Sequence, residues 1–181
     1  MLSANDIALV RASFARVVPI QDAAADLFYD RLFAVSPKLR ELFPADLREQ
    51  KRKLIQMIAT AVGGLNDLDK LVPAVKALGA RHSSYGVTAA HYKIVGEALL
   101  WTLERGLGDD FTPEVRSAWG KIYGVLSATM QAGAAEVAKQ RDELPAPHVG
   151  HEPLPPRSDG VDHDTSQRPP RLEVLRSVRG C

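Results

Sequence analysis

KALGARHSSYGV, residues Lys76–Val87, is the stretch on which the reading of this chain turns. It closes a segment whose Leu71, Val75 and Leu78 recur at helical spacing, so His82 stands at the end of an apolar helical stripe. An imidazole in that place can bind a transition metal through one ring nitrogen while a hydrogen bond holds the other. The adjacent Ser83-Ser84 has no nucleophile elbow around it and no acid ordered to complete a triad. The serine pair is expected to close the helix instead. The other histidines offer less. His91 falls at a helix start and has no histidine four residues away to complete a two-histidine zinc site. His148, His151 and His163 lie in a proline-rich stretch without metal-ligand spacing.

Outward from His82 nearly every segment repeats at helical period. Ser3 opens the first helix, with Asp6 placed for a capping box and Ile7, Val10, Phe14 and Val17 on one stripe. Pro19 ends it. A second helix is expected over residues 21–35, and Ser36-Pro37 starts a short third piece that stops near Phe43-Pro44. Residues 47–63 read as another helix, closed by Gly63-Gly64, and residues 70–83 as the helix of His82. Thr88 caps a long helix to about Gly106, and Thr112-Pro113-Glu114 opens the last one, with proline at the first helical position. No strand, repeat or glycine-rich phosphate loop is legible. The expectation is an all-α domain of about seven helices.

Composition bounds the rest. The 181 residues fit one domain with a little chain to spare. A net charge of +1 gives no electrostatic case for nucleic acid, and 45% hydrophobic residues suffice for a real core. The single cysteine, Cys181, rules out an internal disulfide framework and a multi-cysteine metal site, and it does not fit a prenylation box. The opening MLSANDIALVRASF lacks a signal-peptide core, and no run approaches the roughly 18 apolar residues of a membrane span. A soluble, cytoplasmic protein is expected. Of twelve prolines, Pro145, Pro147, Pro153, Pro155, Pro156, Pro169 and Pro170 fall after residue 144. That shift divides the chain into a folded domain over 1–142 and a proline-rich tail over 143–181. The tail is expected to be disordered, with Leu172, Leu175 and Val178 able to form one or two amphipathic turns.

Four polar residues lie on apolar stripes. At about 100° per residue Gln50 projects with Leu54, Met57, Ala61 and Leu65, and Tyr29 with Ala25, Leu32 and Phe33. Tyr92 lines up with Val95, Leu99 and Leu103, and Glu136 joins the edge of the stripe of Trp119, Ile122, Leu126 and Gly133. A stripe-edge tyrosine commonly buries its ring and keeps its hydroxyl wet, and a terminal glutamine or glutamate is commonly solvated. Either reading stays open for each residue alone. Together, beside a helix-terminal histidine, they mark a candidate site, because buried polar groups cost free energy unless partnered.

These residues resemble the globin family over residues 3–140. Pro37 begins the short third helix, Phe43 stands where globins keep the phenylalanine on the haem face, and Gln50 precedes His82 by 32 residues, a spacing similar to that of neuroglobin-like chains. LGARHSSYGV, HYKIVGEALL and AWGKIYGVL resemble bacterial flavohaemoglobins and single-domain haemoglobins. The resemblance implies a globin fold around haem b, with His82 as proximal iron ligand and Tyr92 and Glu136 as its hydrogen-bond network. It implies Tyr29 and Gln50 as the distal pair facing bound gas. Phe43, Leu54, Ile58, Leu78, Val87 and Val95 would line the haem, and the basic REQKRK run would sit either as a solvated face or beside the propionates. Reversible binding of O2, NO and CO is implied, and oxidation of nitric oxide to nitrate by a nitric oxide dioxygenase. No dinucleotide site follows the domain, so an external reductase would supply electrons. The alternative is an oxygen store or a gas sensor signalling through the tail, and a third reading is a haem-free helical bundle. A monomer or homodimer is expected.

Overall fold

A computed structural model describes residues 2–143. It contains α1 (Ala4–Val17), α2 (Gln21–Val35), α3 (Arg48–Gly63), α4 (Leu68–Ser84), α5 (Ala89–Leu107) and α6 (Pro113–Glu143). Short 3-10 segments at Val18–Ile20, Pro37–Leu42, Gly64–Asn66 and Gly108–Asp110 join or follow them. With Pro37–Leu42 counted as the short third piece, this is the helical order expected from the sequence, and no strand occurs among the described residues. The expected tail, with Leu172, Leu175, Val178 and three of the histidines, lies outside the described residues.

Local chemistry sets the boundaries. Ser3 Oγ accepts from the Asp6 N–H at 3.0 Å while the Asp6 carboxylate accepts from the Ser3 N–H at 2.9 Å, a reciprocal cap on two otherwise orphaned donors. Pro19 sits in the 3-10 turn that separates α1 from α2, and Pro37 opens the next turn after α2. His91 has a capping task, its Nδ1 accepting from the Thr88 N–H at 3.2 Å. Helix α4 ends on the serine pair, at Ser84, as expected. Gly86, at φ +80°, makes the turn that closes it. The Val87 N–H then reaches the His82 carbonyl and the Gly86 N–H the Ser83 carbonyl, each at 3.1 Å. This is a Schellman closure whose signal was the glycine two residues beyond the serines. Helix α4 also starts at Leu68, which places Pro73 inside it and deprives the Asp69 carbonyl of its usual donor.

The core lies where α1, α2, α5 and α6 meet. Val10, Leu32, Leu65 and Ile122 are its largest fully buried side chains. Each such side chain contributes about 1.5–3 kcal/mol relative to exposure. Helix α6 packs on α4 and α1, α5 on α2, and α3 on α2. Within this core the Trp119 indole N–H donates to Ser13 Oγ at 2.9 Å, tying α6 to α1 across 106 positions of chain.

Helices α3 and α4 differ from the others. Each carries an apolar stripe, yet α3 buries only Val62 and α4 only Val75 and Gly79. By contrast α5 buries seven residues. Although α3 and α4 are joined by one short turn, they scarcely touch. Their apolar side chains Leu54, Ile58, Leu71 and Leu78 are only half-buried, although α3 packs on α2 and α1 and α4 packs on α6.

Candidate functional site

His82 is half-buried near the end of α4. Its Nδ1 lies 2.9 Å from the carbonyl oxygen of Leu78, one turn back on the same helix. A carbonyl only accepts, so Nδ1 carries the hydrogen and the Nε2 lone pair is left for a ligand. Leu78 and Val87 are half-buried beside it in the chain, and Tyr85 is largely exposed, its ring 6.5 Å from the imidazole.

The second group gathers on α2 and α3. Tyr29 is buried, with the rings of Phe28, Phe33 and Phe43 at 5.1, 5.8 and 5.6 Å, mostly edge to face. Its hydroxyl donates to the backbone carbonyl of Gln50 at 3.4 Å, a long bond. Burial pushes the Tyr29 pKa up to about 12, so the hydroxyl keeps its hydrogen across the ordinary pH range. Tyr29 and Gln50, expected as the distal pair facing bound gas, touch here through the main chain of Gln50 and not through its amide. Leu54 and Ile58 follow on α3, half-buried against the core. Behind them lies an apolar cavity of about 20 Å³, lined in part by Phe28, Leu99 and Trp119. That is room for about one water-sized molecule and none for a porphyrin.

On α5, Tyr92 is buried and its pKa is raised by that burial, and Val95 is half-buried. Tyr92 is held by a residue that the sequence reading missed. Tyr123 of α6 lays its ring against Gly96, where a methyl group would collide with it, and its hydroxyl donates to the Tyr92 carbonyl at 2.5 Å. Burial raises the Tyr123 pKa as well. The only sequence signal for Tyr123 was its place in AWGKIYGVL.

Glu136 was expected in a hydrogen-bond network with Tyr92 around His82; its carboxylate is exposed and pairs with Lys76 of α4. Glu136 sits at the edge of its helix face, where a lysine on the neighbouring helix meets it. No hydrogen bond among the described residues joins His82, Tyr92 and Glu136.

The donor set fits a porphyrin better than a bare ion. No cluster of three or more His, Cys, Asp or Glu able to hold a metal occurs among the described residues. One imidazole can hold a metal only where other ligands arrive with it, as four pyrrole nitrogens would. Leu54 and Ile58 of α3 and Leu71 and Leu78 of α4, each half-buried, offer apolar surface to a flat apolar group.

The globin family's sequence profile matches residues 26–130, more than half of the chain. The chain belongs to the globin family. This globin is 29% identical over 146 residues to the flavohemoprotein of Bacillus subtilis strain 168, covering 79% of its own length and 37% of the relative's. It thus spans little more than a third of that protein. Among solved structures it is similar to the engineered carbene transferase RmaNOD, described as a candidate nitric oxide dioxygenase of Rhodothermus marinus. The TM-score is 0.71 at 27% identity, over 79% of this globin and all of that chain. No helix among the described residues is long and apolar enough to cross a membrane.

Proposed function

We propose that this globin binds haem b through His82 Nε2, takes up diatomic gases, and oxidises nitric oxide to nitrate with electrons from an external reductase. The observation that carries the haem assignment is the pair α3 and α4. Helix α4 carries His82 and α3 carries Gln50, and both bury few residues: Val62 on α3, Val75 and Gly79 on α4, with Leu54, Ile58, Leu71 and Leu78 only half-buried. Covering such side chains with a porphyrin stabilises by about 25 cal/mol for each Å² of apolar area removed from water. When bound, the haem supplies an iron with one axial position open to O2, NO or CO.

The residues divide the work. The Leu78 carbonyl fixes the His82 ring and its tautomer. Phe43, Leu54, Ile58, Leu78, Val87 and Val95 keep water from the gas side or the histidine side. Tyr29 is the distal donor: its hydroxyl bond to the Gln50 carbonyl is long enough to be exchanged for one to a gas ligand carrying partial negative charge. The Gln50 amide, free of the Tyr29 contact, is available beside it. Tyr123 holds the α5 backbone at Tyr92 and so keeps the histidine side rigid.

A second reading, oxygen storage or gas sensing, is favoured by one specific contact. A carboxylate on the His82 N–H would push electron density to the iron and aid O–O cleavage, whereas the Leu78 carbonyl is a weaker acceptor. Two experiments separate the readings. Absorbance of the ferrous protein with and without carbon monoxide, compared with His82→Ala, tests haem and its ligand; a colourless protein that ignores added haemin ends both. Nitric oxide added to the oxygenated protein gives stoichiometric nitrate within milliseconds if dioxygenation is right. Slow or absent conversion leaves the storage or sensor reading.

A further inference from the structure

Helix α4, which carries His82, owes its place to two glycines. Gly79 is buried, and a methyl group built on it would overlap the backbone carbonyl of Met130 on α6. Gly133 of α6 is buried too, and a methyl group on it would overlap the backbone carbonyl of Lys76 on α4. The contact is reciprocal: each helix offers a glycine where the other brings main chain, with no side chain between. The Lys76–Glu136 ion pair closes one edge of the same seam. Because α4 buries little besides Val75 and Gly79, this crossing is its chief attachment to the domain. Backbone-on-backbone contact is also the least yielding kind, since no rotamer can move aside.

We infer that Gly79 and Gly133 are positioning residues that set how far His82 reaches from α6. Gly79 precedes His82 by three residues, less than one turn, and the His82 ring is tied to Leu78 at the same level of the helix. A shift of α4 away from α6 at Gly79 therefore moves the imidazole with it, as a rigid piece. The glycines touch neither the imidazole nor any ligand; they act through the helix. The inference rests on His82 holding haem iron, and its test reads the iron–histidine bond directly.

Ferrous, haem-loaded Gly79→Ala and Gly133→Ala are expected to keep a stoichiometric Soret band. Their iron–histidine stretching frequency in resonance Raman spectra moves by several wavenumbers, and oxygen dissociation changes several-fold. Gly124→Ala, on α6 where nothing lies within 4 Å, leaves both unchanged. An unmoved stretching band in both alanine variants overturns the inference while leaving the haem assignment standing. If neither variant folds, Val75→Ala decides. It removes bulk one turn before Gly79 on the same face and is expected to shift the band by several wavenumbers; an unmoved band again overturns the seam. Wild-type protein that binds no haemin sinks both the haem assignment and this inference.

Discussion

Tyr29 and Gln50 meet through a hydroxyl and a main-chain carbonyl, 3.4 Å apart. The tyrosine therefore points its one hydrogen at α3 and holds it there weakly. A better acceptor nearby would capture it. Replacing Tyr29 by Phe removes that donor but keeps the ring among Phe28, Phe33 and Phe43. A hydrogen bond to a charged group contributes about 1.5–3 kcal/mol, so oxygen dissociation should quicken by about tenfold or more. Stopped-flow release of oxygen measures this, and an unchanged rate removes Tyr29 from the gas side. Since the Tyr29 pKa lies near 12, the wild-type rate should stay flat from neutral to moderately alkaline pH.

Glu136 is bound to Lys76 on the surface. Exposed pairs of this kind contribute about 0–1 kcal/mol. Glu136→Gln should lower thermal stability slightly and leave the iron–histidine stretching band of the loaded protein in place. A clear shift of that band would show that the carboxylate reaches His82 once haem is present.

Ser13 and Trp119 form a buried bond at 2.9 Å, and Ser13 also donates to the Leu9 carbonyl at 2.8 Å. Ser13→Ala leaves the indole N–H without a partner in the core, which costs about 1–3 kcal/mol. Urea denaturation followed by Trp fluorescence checks this. A midpoint equal to wild type means the N–H has found another acceptor.

Asp6 carries the acid dependence of the α1 end. The Lys121 ammonium beside it, helped by Ser3, lowers its pKa from 3.8 to about 2. The folded value is the depressed one, so the contribution is complete above the unfolded pKa and is lost as pH falls from about 4 towards 2. Asp6→Asn should be less stable at neutral pH and show a flatter decline across that window. Parallel decline curves for the two proteins would mean Asp6 is not the titrating group.

The helices were legible because their signals are local. A serine with an aspartate three residues on, a proline after a stripe, and Thr112-Pro113 each act on backbone groups within one turn. His82 was legible for a related reason: its ring partner, Leu78, lies on the same helix, and the chemistry of an imidazole at a stripe's end is narrow. Even the closing turn was written locally, in Gly86, two residues after the serine pair on which the helix ends.

What one helix presents to another was decided only by the folded chain. Periodicity tells which face a residue occupies but not which neighbour meets that face, because the meeting point depends on crossing angle and on how closely two backbones approach. Glu136 found Lys76 rather than His82 for that reason, and Tyr123 found the Tyr92 carbonyl through the space left by Gly96. Trp119 reached Ser13 across most of the domain. The amino-acid sequence by itself determined the helices and their order. The tertiary structure alone placed Gly79 against Met130 and Gly133 against Lys76, since a side chain that is absent leaves no pattern until two helices close over it.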